Sequence, residues 1–415
     1  MTGDDLPLLR TAVPGPVSRA WVDRLARHEC PAITARRARR AVAIGAADTD
    51  PIVWDEAVGA NVQDADGNVF VDLCSGFGVA SVGHRHPAVV AAGQAQLARL
   101  PHAMGDAFPD VRRIELLERL TAATGMDRVI FGSSGSDAVE AALKTARVAT
   151  GRGRILAFTG GYHGLAAAPL AAIGYHVRAF RDPFADMLGQ HVDLAPWGGD
   201  LPALQPYAAV LVEPVQGRGG MREPPAGWLE GLHAAARAAG ALVIHDEIYA
   251  GLGRTGTFLA GRALRPDLLC VGKALGGGFP ISACLGTSAA MDAWGASTGE
   301  AIHTQTFLGN PVGCAMALAV LDVIEREGLV ARAATEGAWF ADALAGVPGV
   351  RAITGRGLML GVHLDDSLGV TRRMLERGYI VLPCGERAEA LGLTPPLTTS
   401  RAQLAGAVAA LKECV

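Results

Sequence analysis

The chain is 415 residues long, 50% hydrophobic and 19% charged, with a formal net charge of −4. That apolar content excludes a disordered chain, and the length allows one large buried domain with room for a second. The near-neutral balance makes no electrostatic case for nucleic acid or a membrane surface as partner. The opening, MTGDDLPLLR, is acidic and lacks the apolar core of a secretory signal. Gly, Pro and charges interrupt every apolar run before membrane-spanning length. The seven cysteines are scattered without a CxxC pair. They read as free thiols in a reducing compartment, with neither a disulfide scaffold nor a metal site. A cytoplasmic location is the expectation.

In chain order, two basic, Ala-rich helical patterns come first, at 18–29 and 34–44, split by Pro31. From 54 to 73 the apolar period is two. The Asp66-Gly67 pair sits between alternating runs, which predicts a tight hairpin with DADGNVFVDL as its turn and second strand. Apolar, β-branched runs follow at 129–131, 155–158, 208–213, 242–246 and 268–272. Helical stretches lie between several of them, such as 138–149 and 227–239, the latter ended by Gly240 as C-cap. Continuous apolar strands alternating with helices predict an α/β fold with a mainly parallel sheet covered on both faces. A long Ala-rich helix at 313–326 leads into short strands and helices up to Val415. The expected division is an N-terminal segment of a small domain at 1–60, a large domain at 61–312 and a smaller C-terminal α+β domain at 313–415.

Lysine is the scarce residue: Lys144, Lys273 and Lys412 stand against 34 Arg. Lys144 lies four residues after Glu140 on a helical stretch and reads as a structural pair; Lys412 near the end reads as solvated. Lys273 ends an apolar strand against a glycine-rich turn, LLCVGKALGGGFP. Burial there would lower its pKa and prepare it as a Schiff-base nucleophile. The plainer reading is a lysine reaching solvent from a strand end.

Parallel sheets place ligands outside the carboxyl ends of their strands. FGSSGSD at 131–137 runs from a strand through a Gly/Ser loop into a helix start. Free backbone N–H groups, hydroxyls and a positive dipole end suit a phosphate there, and an ordinary N-cap is the alternative. Asp246 and Glu247 end the strand LVIHDEI. A carboxylate there could bind metal, act as a base, hold a protonated ring nitrogen or form a salt bridge. Tyr162, in GGYHG, could stack on a flat ligand or pack within its loop. Two segments are decoys. GHRHP at 83–87 has two histidines and no further ligand cluster, and GRGLMLG at 355–361 mimics a dinucleotide loop but precedes a strand pattern.

Nine segments in order carry a family resemblance: SGFGVASVGHRHP, FGSSGSDAVEAALK, GGYHG, VEPVQG, HDEIYAGLGRTG, VGKALGGGFP, TQTFLGNP, GRGLMLG and LTPPL. Over roughly residues 50–400 the chain resembles the class III (ornithine/4-aminobutyrate type) aminotransferases, fold type I enzymes that use pyridoxal 5′-phosphate (PLP). The resemblance implies that the large domain holds PLP. Lys273 would form the Schiff base and shuttle the proton. Asp246 would pair with the pyridine nitrogen and keep the ring an electron sink. Tyr162 would stack on one face of the ring and Ile248 would pack on the other. Gly135 and Ser136, with Ser134 nearby, would hold the phosphate. Glu213 would be a second acid near the cofactor. Thr306 would reach the phosphate of a neighbouring subunit, which makes the working unit a homodimer.

The departures from that pattern concern the substrate. Tyr249 stands where the family usually has a Gln that contacts the ring hydroxyl. Gly392 and Arg218 stand where glutamate-using members carry an Arg–Glu pair, and Leu165 where ornithine-type members carry an Arg. Two carboxylate clamps are missing and one new Arg is present. The expected substrate is therefore not a simple dicarboxylic amino acid, with Arg218 as replacement anchor and Phe77 as a second substrate-facing residue. The implied reaction passes an amine from a small donor to a ketone or aldehyde acceptor. The same lysine and electron sink would serve a racemase or decarboxylase. VEPVQG differs from the VEPVAGN of the aminomutase, and Lys273 with Asp246 argue against a non-catalytic binding protein.

Overall fold

Seven strands form the central sheet, in the order Arg128–Gly132, Ser282–Gly286, Leu268–Val271, Leu242–Asp246, Tyr207–Val212, Arg154–Phe158 and Val192–Ala195. The last five pair in parallel. Ser282–Gly286 runs antiparallel to both of its neighbours, which turns Arg128–Gly132 back into the common direction. This computed structural model describes residues 1–31, 33, 51–261, 263–296, 299 and 301–415. The helical pattern at 34–44 lies outside them.

The five apolar runs are the five strands expected. Every residue of Tyr207–Val212 is buried, as a strand covered on both faces requires. One face lies under the helix Gly135–Thr150, whose Val139, Ala142 and Ala146 pack with Leu211, Ile244, Cys270 and Cys284. The other lies under Trp228–Ala239, whose Leu232 and Ala236 pack with Phe158, Val210 and Val243. Gly240 caps that helix at φ 64. Two strands had no recognisable pattern. Ser282–Gly286 is built of small residues with weak strand preference, and Val192–Ala195 is a short, half-buried edge.

The hairpin is present as Asn61–Asp64 against Val69–Asp72, with Gly67 at φ 81 in the turn. With Trp54–Val58 and the distant Tyr379–Ile380 it makes a four-stranded sheet. A second four-stranded sheet, Ala352–Arg356, Met359–His363, Ala390–Leu393 and Leu382–Cys384, lies in the C-terminal region. The segment 355–361 is therefore a hairpin bend and not a dinucleotide loop. The helix Pro311–Arg326 buries Val320, Leu321 and Ile324 in a core shared with Leu275 beside the central sheet and with Leu360 and Leu404 of the C-terminal region. No helix of the described residues is long and apolar enough to cross a membrane. All seven cysteines are free thiols.

Candidate active site

One cavity of about 980 Å³ opens at the carboxyl ends of the parallel strands. Phe77, Ser134, Gly135, Ser136, Tyr162, Glu213, Arg218, Asp246, Ile248 and Lys273 all line it. All but Phe77 follow the ends of central-sheet strands that share a direction, or the turns after them; Phe77 follows Val69–Asp72 of the hairpin's sheet. Thr306 is the exception; it is exposed and lies outside the cavity. Gly392 and Leu165, the two vacated clamp positions, line the same cavity as Arg218.

Lys273 follows the strand Leu268–Val271 with φ +40, a left-handed backbone that side chains rarely adopt. Its Nζ lies 4.5 Å from the centre of the Tyr249 ring. Burial pulls its ammonium below the usual lysine value; Asp246 and Glu213 oppose that shift and Arg218 adds to it. The amine is thereby brought closer to the neutral form that a nucleophile or base needs. Phe77 also has a positive φ, 66°, and is 53% exposed at the cavity rim.

Asp246 is buried, and its Oδ1 accepts from the Ile248 N–H at 3.1 Å. Its Oδ2 lies 2.8 Å from Nδ1 of buried His163. Burial opposes charge on His163, but the hydrogen bond and charge of Asp246, with Glu213 beyond, outweigh it and raise the ring's pKa. Glu213 ties two loops together: Oε1 accepts from the Tyr162 N–H at 2.9 Å and Oε2 from the Gly217 N–H at 3.0 Å. Burial pushes its carboxyl up to about 7. Tyr162 and the loop bearing Arg218 are thus anchored to one acid.

The Gly/Ser loop begins the helix Gly135–Thr150. Ser134 is its N-cap in a reciprocal box with Asp137. The glycines keep the floor shallow. A Cβ on Gly135 would come within 3.0 Å of Ile248, and one on Gly164 would strike the Ser136 hydroxyl. The donor set matches PLP. Hydroxyls and helix N–H groups can meet a phosphate, a buried carboxylate can meet a ring nitrogen, and an amine stands at the end of a strand, with Tyr162 and Ile248 lining the same cavity.

Sequence reasoning missed His163 as a partner of Asp246. Its signal was its place between two glycines in GGYHG beside the tyrosine singled out. Tyr175 also lines the cavity, 6.4 Å from Tyr162 between ring centres, and no motif marks it. Lys144 pairs with Glu140 at 3.2 Å, as its spacing predicts. His84 and His86 pair with Asp72 and Glu327.

A mainly parallel sheet with these groups at its carboxyl ends defines a fold type I PLP enzyme. The family model for class III aminotransferases matches residues 44–197 and 202–415, and the chain belongs to that family. It is 36% identical to an acetylornithine aminotransferase of Methanosarcina acetivorans, over 88% of this chain and 91% of the relative. An acetylornithine aminotransferase of Mycobacterium tuberculosis is 37% identical over 91% and 95%. Among solved structures, the ornithine aminotransferase of Toxoplasma gondii superposes with TM-score 0.84 at 29% identity, covering 96% of this chain and 94% of that one. A PLP-bound amine transaminase from an uncultivated Pseudomonas species gives 0.80 at 32% identity, covering 88% and 95%. The chain is a PLP-dependent class III transaminase, and the reaction is transamination.

Proposed function

We propose that this transaminase moves the side-chain amine of an amino acid whose carboxylate is held by Arg218, and delivers it to a ketone or aldehyde acceptor. The Arg218 guanidinium carries the reading. It lies 4.4 Å from the centre of the Tyr162 ring and lines the cavity with Lys273. Among the described residues it makes no ion pair. A planar guanidinium fixed on an aromatic face is matched by a carboxylate through two parallel hydrogen bonds. The relatives' names support the reading, because ornithine is an amino acid with a second amine on its side chain. A dicarboxylic substrate is disfavoured, since Gly392 and Leu165 leave no second cation at the two clamp positions.

When bound, PLP supplies the electron sink that lets the hydrogen on the amine-bearing carbon leave as a proton. Ser134, Gly135 and Ser136 bind the phosphate through hydroxyls and helix N–H groups. Asp246, oriented by His163, holds a proton on the ring nitrogen. Tyr162 and Ile248, which line the cavity, would hold the ring between them. Lys273 Nζ would anchor the cofactor at rest and carry the proton from the amine-bearing carbon to the cofactor carbon, where transamination leaves it. The working unit is a cytoplasmic homodimer in which Thr306 reaches the partner's phosphate site. Supporting this, exposed Ile302 and Phe307 flank Thr306, and Phe307 meets His102 at 5.5 Å beside exposed Met104 and Phe108.

The test is the visible absorption of the PLP-loaded protein on addition of L-ornithine, N-acetyl-L-ornithine, L-glutamate and L-alanine. Loss of the yellow band with one of the first two is the expected outcome. Arg218→Ala should raise KM for that substrate about 10- to 100-fold with little change in kcat, the range for losing a charged hydrogen bond. An unchanged KM would overturn the anchor.

A further inference from the structure

Tyr249 occupies a slot built by two distant glycines. A Cβ on Gly78 would lie 2.5 Å from its Cε2, and a Cβ on Gly217 would lie 2.3 Å from its Cδ1. Only glycine at both positions lets the two backbones close on this ring. Gly78 follows Phe77 and Gly217 precedes Arg218, so the ring is clamped by the chain neighbours of both substrate-facing residues. The Tyr249 hydroxyl meets Thr394 Oγ1 at 3.1 Å, and that oxygen lies 3.3 Å from the Cys74 carbonyl. With the Thr394 hydroxyl directed at the carbonyl, the tyrosine is the donor. Its single proton is then committed to the cavity wall and not offered to a ligand.

The face of the ring looks at the reactive amine, since Lys273 Nζ lies 4.5 Å from the ring centre. An ammonium over an aromatic face is attracted by the ring quadrupole, more strongly where water is excluded. The other groups acting on Lys273 are Asp246 and Glu213, which favour its charge, and Arg218, which opposes it. Tyr249 itself is surrounded by Cys74, Cys384 and buried Arg254. None of these offers the amine a seat: Asp246 is taken by His163, and Glu213 by two backbone N–H groups.

We propose that Tyr249 is a positioning residue for Lys273: its ring, wedged between the backbones at Gly78 and Gly217, is the surface on which the lysine amine is seated. The inference rests on Lys273 as the reactive amine. At the position where the family usually has a Gln that contacts the ring hydroxyl, the phenol of Tyr249 is instead turned to Thr394. The wedge also couples chemistry to recognition, since a ring that shifts moves the Phe77 and Arg218 backbones together with the lysine.

The experiment is a pH titration of Lys273 in the full-length chain freed of PLP. The readout is the rate of acetylation at that residue, followed by peptide mass spectrometry, in wild type, Tyr249→Phe and Tyr249→Leu. The phenylalanine variant keeps the ring and should titrate as wild type. The leucine variant should titrate lower by about half to one pH unit, the loss of one cation–π contact. A ring that merely fills space predicts the opposite sign, because water entering the vacated volume relieves the desolvation of the ammonium. An unchanged or raised value in Tyr249→Leu, or an equal fall in Tyr249→Phe, overturns the proposal. Gly217→Ala, which drives a Cβ into the ring, should lower the value too, and should add little to Tyr249→Leu. Full additivity would break the wedge. Borohydride trapping of the PLP-loaded protein separates the two levels of the argument. Trapping at Lys273 with flat titrations removes only the seat; trapping at Lys144 or Lys412 removes the assignment of Lys273 and the seat with it.

Discussion

Three consecutive residues at the end of the strand Leu242–Asp246 serve two networks, because neighbouring side chains on extended backbone point to opposite faces. Asp246 turns into the cavity and is held by His163. His245 and Glu247 turn away, where His245 Nε2 meets His233 at 2.9 Å and Glu247 accepts from the N–H groups of Ala260 and Gly261. Burial pulls His245 down to about 3 and pushes Glu247 up to about 7. A raised acid favours the folded state most when protonated. Its contribution is therefore full below 4.5, the ordinary glutamate value, and lost as pH rises to about 7. His245 acts oppositely: its neutral form is the folded one, so stability falls as pH drops from 6.5 toward about 3. Comparison with Glu247→Gln cancels the histidine. The variant should gain up to about 3 kcal/mol relative to wild type as pH rises across that window. Urea unfolding at a series of pH values checks this, and a difference independent of pH would refute it.

Elements meet through small residues, and the space at a glycine decides what a methyl does there. In the helix Leu329–Ala345, a Cβ on Gly337 would fall 2.1 Å from the carbonyl oxygen of Gly357, in the bend between Ala352–Arg356 and Met359–His363. Backbone cannot step aside as a flexible side chain can. In the helix Trp228–Ala239, Gly231 is exposed with nothing within 4 Å of the same point. Gly337→Ala should destabilise by about 3 kcal/mol through overpacking. Gly231→Ala should stabilise by about 1 kcal/mol through helix propensity alone. Thermal or urea unfolding of the two variants reads both signs, and like effects at the two sites would break the argument from packing.

At the scale of the whole molecule, the proposed subunit contact is made by residues that do not line the cavity of their own chain. Thr306 and its neighbours Ile302, 77% exposed, and Phe307, 61% exposed, lie outside the cavity. An apolar patch of this kind beside Thr306, the residue proposed to reach a partner's phosphate site, fits a second copy of the chain. Sedimentation of the PLP-loaded protein should give twice the 42.8 kDa of one chain. Ile302→Asp with Phe307→Asp should yield a monomer with weakened PLP retention. A wild type that sediments as one chain would defeat the homodimer.

The sequence by itself determined the parallel strands, the Asp66-Gly67 turn, the Gly/Ser loop before the helix Gly135–Thr150 and the outlying Lys273. Each depends on a period, a backbone preference or a capping pattern that acts within a few residues. The small-residue strand Ser282–Gly286 escaped notice because its side chains have little preference of their own, and its place comes from the two strands on either side. Only the tertiary structure decided which partners the site residues take. Nothing local tells His163 that it meets Asp246, Glu213 that it secures the Tyr162 and Gly217 loops, or Tyr249 that it will be clamped by Gly78 and Gly217. Those contacts join segments far apart in the chain. They form only when packing of the sheet and its covering helices brings the strand ends together.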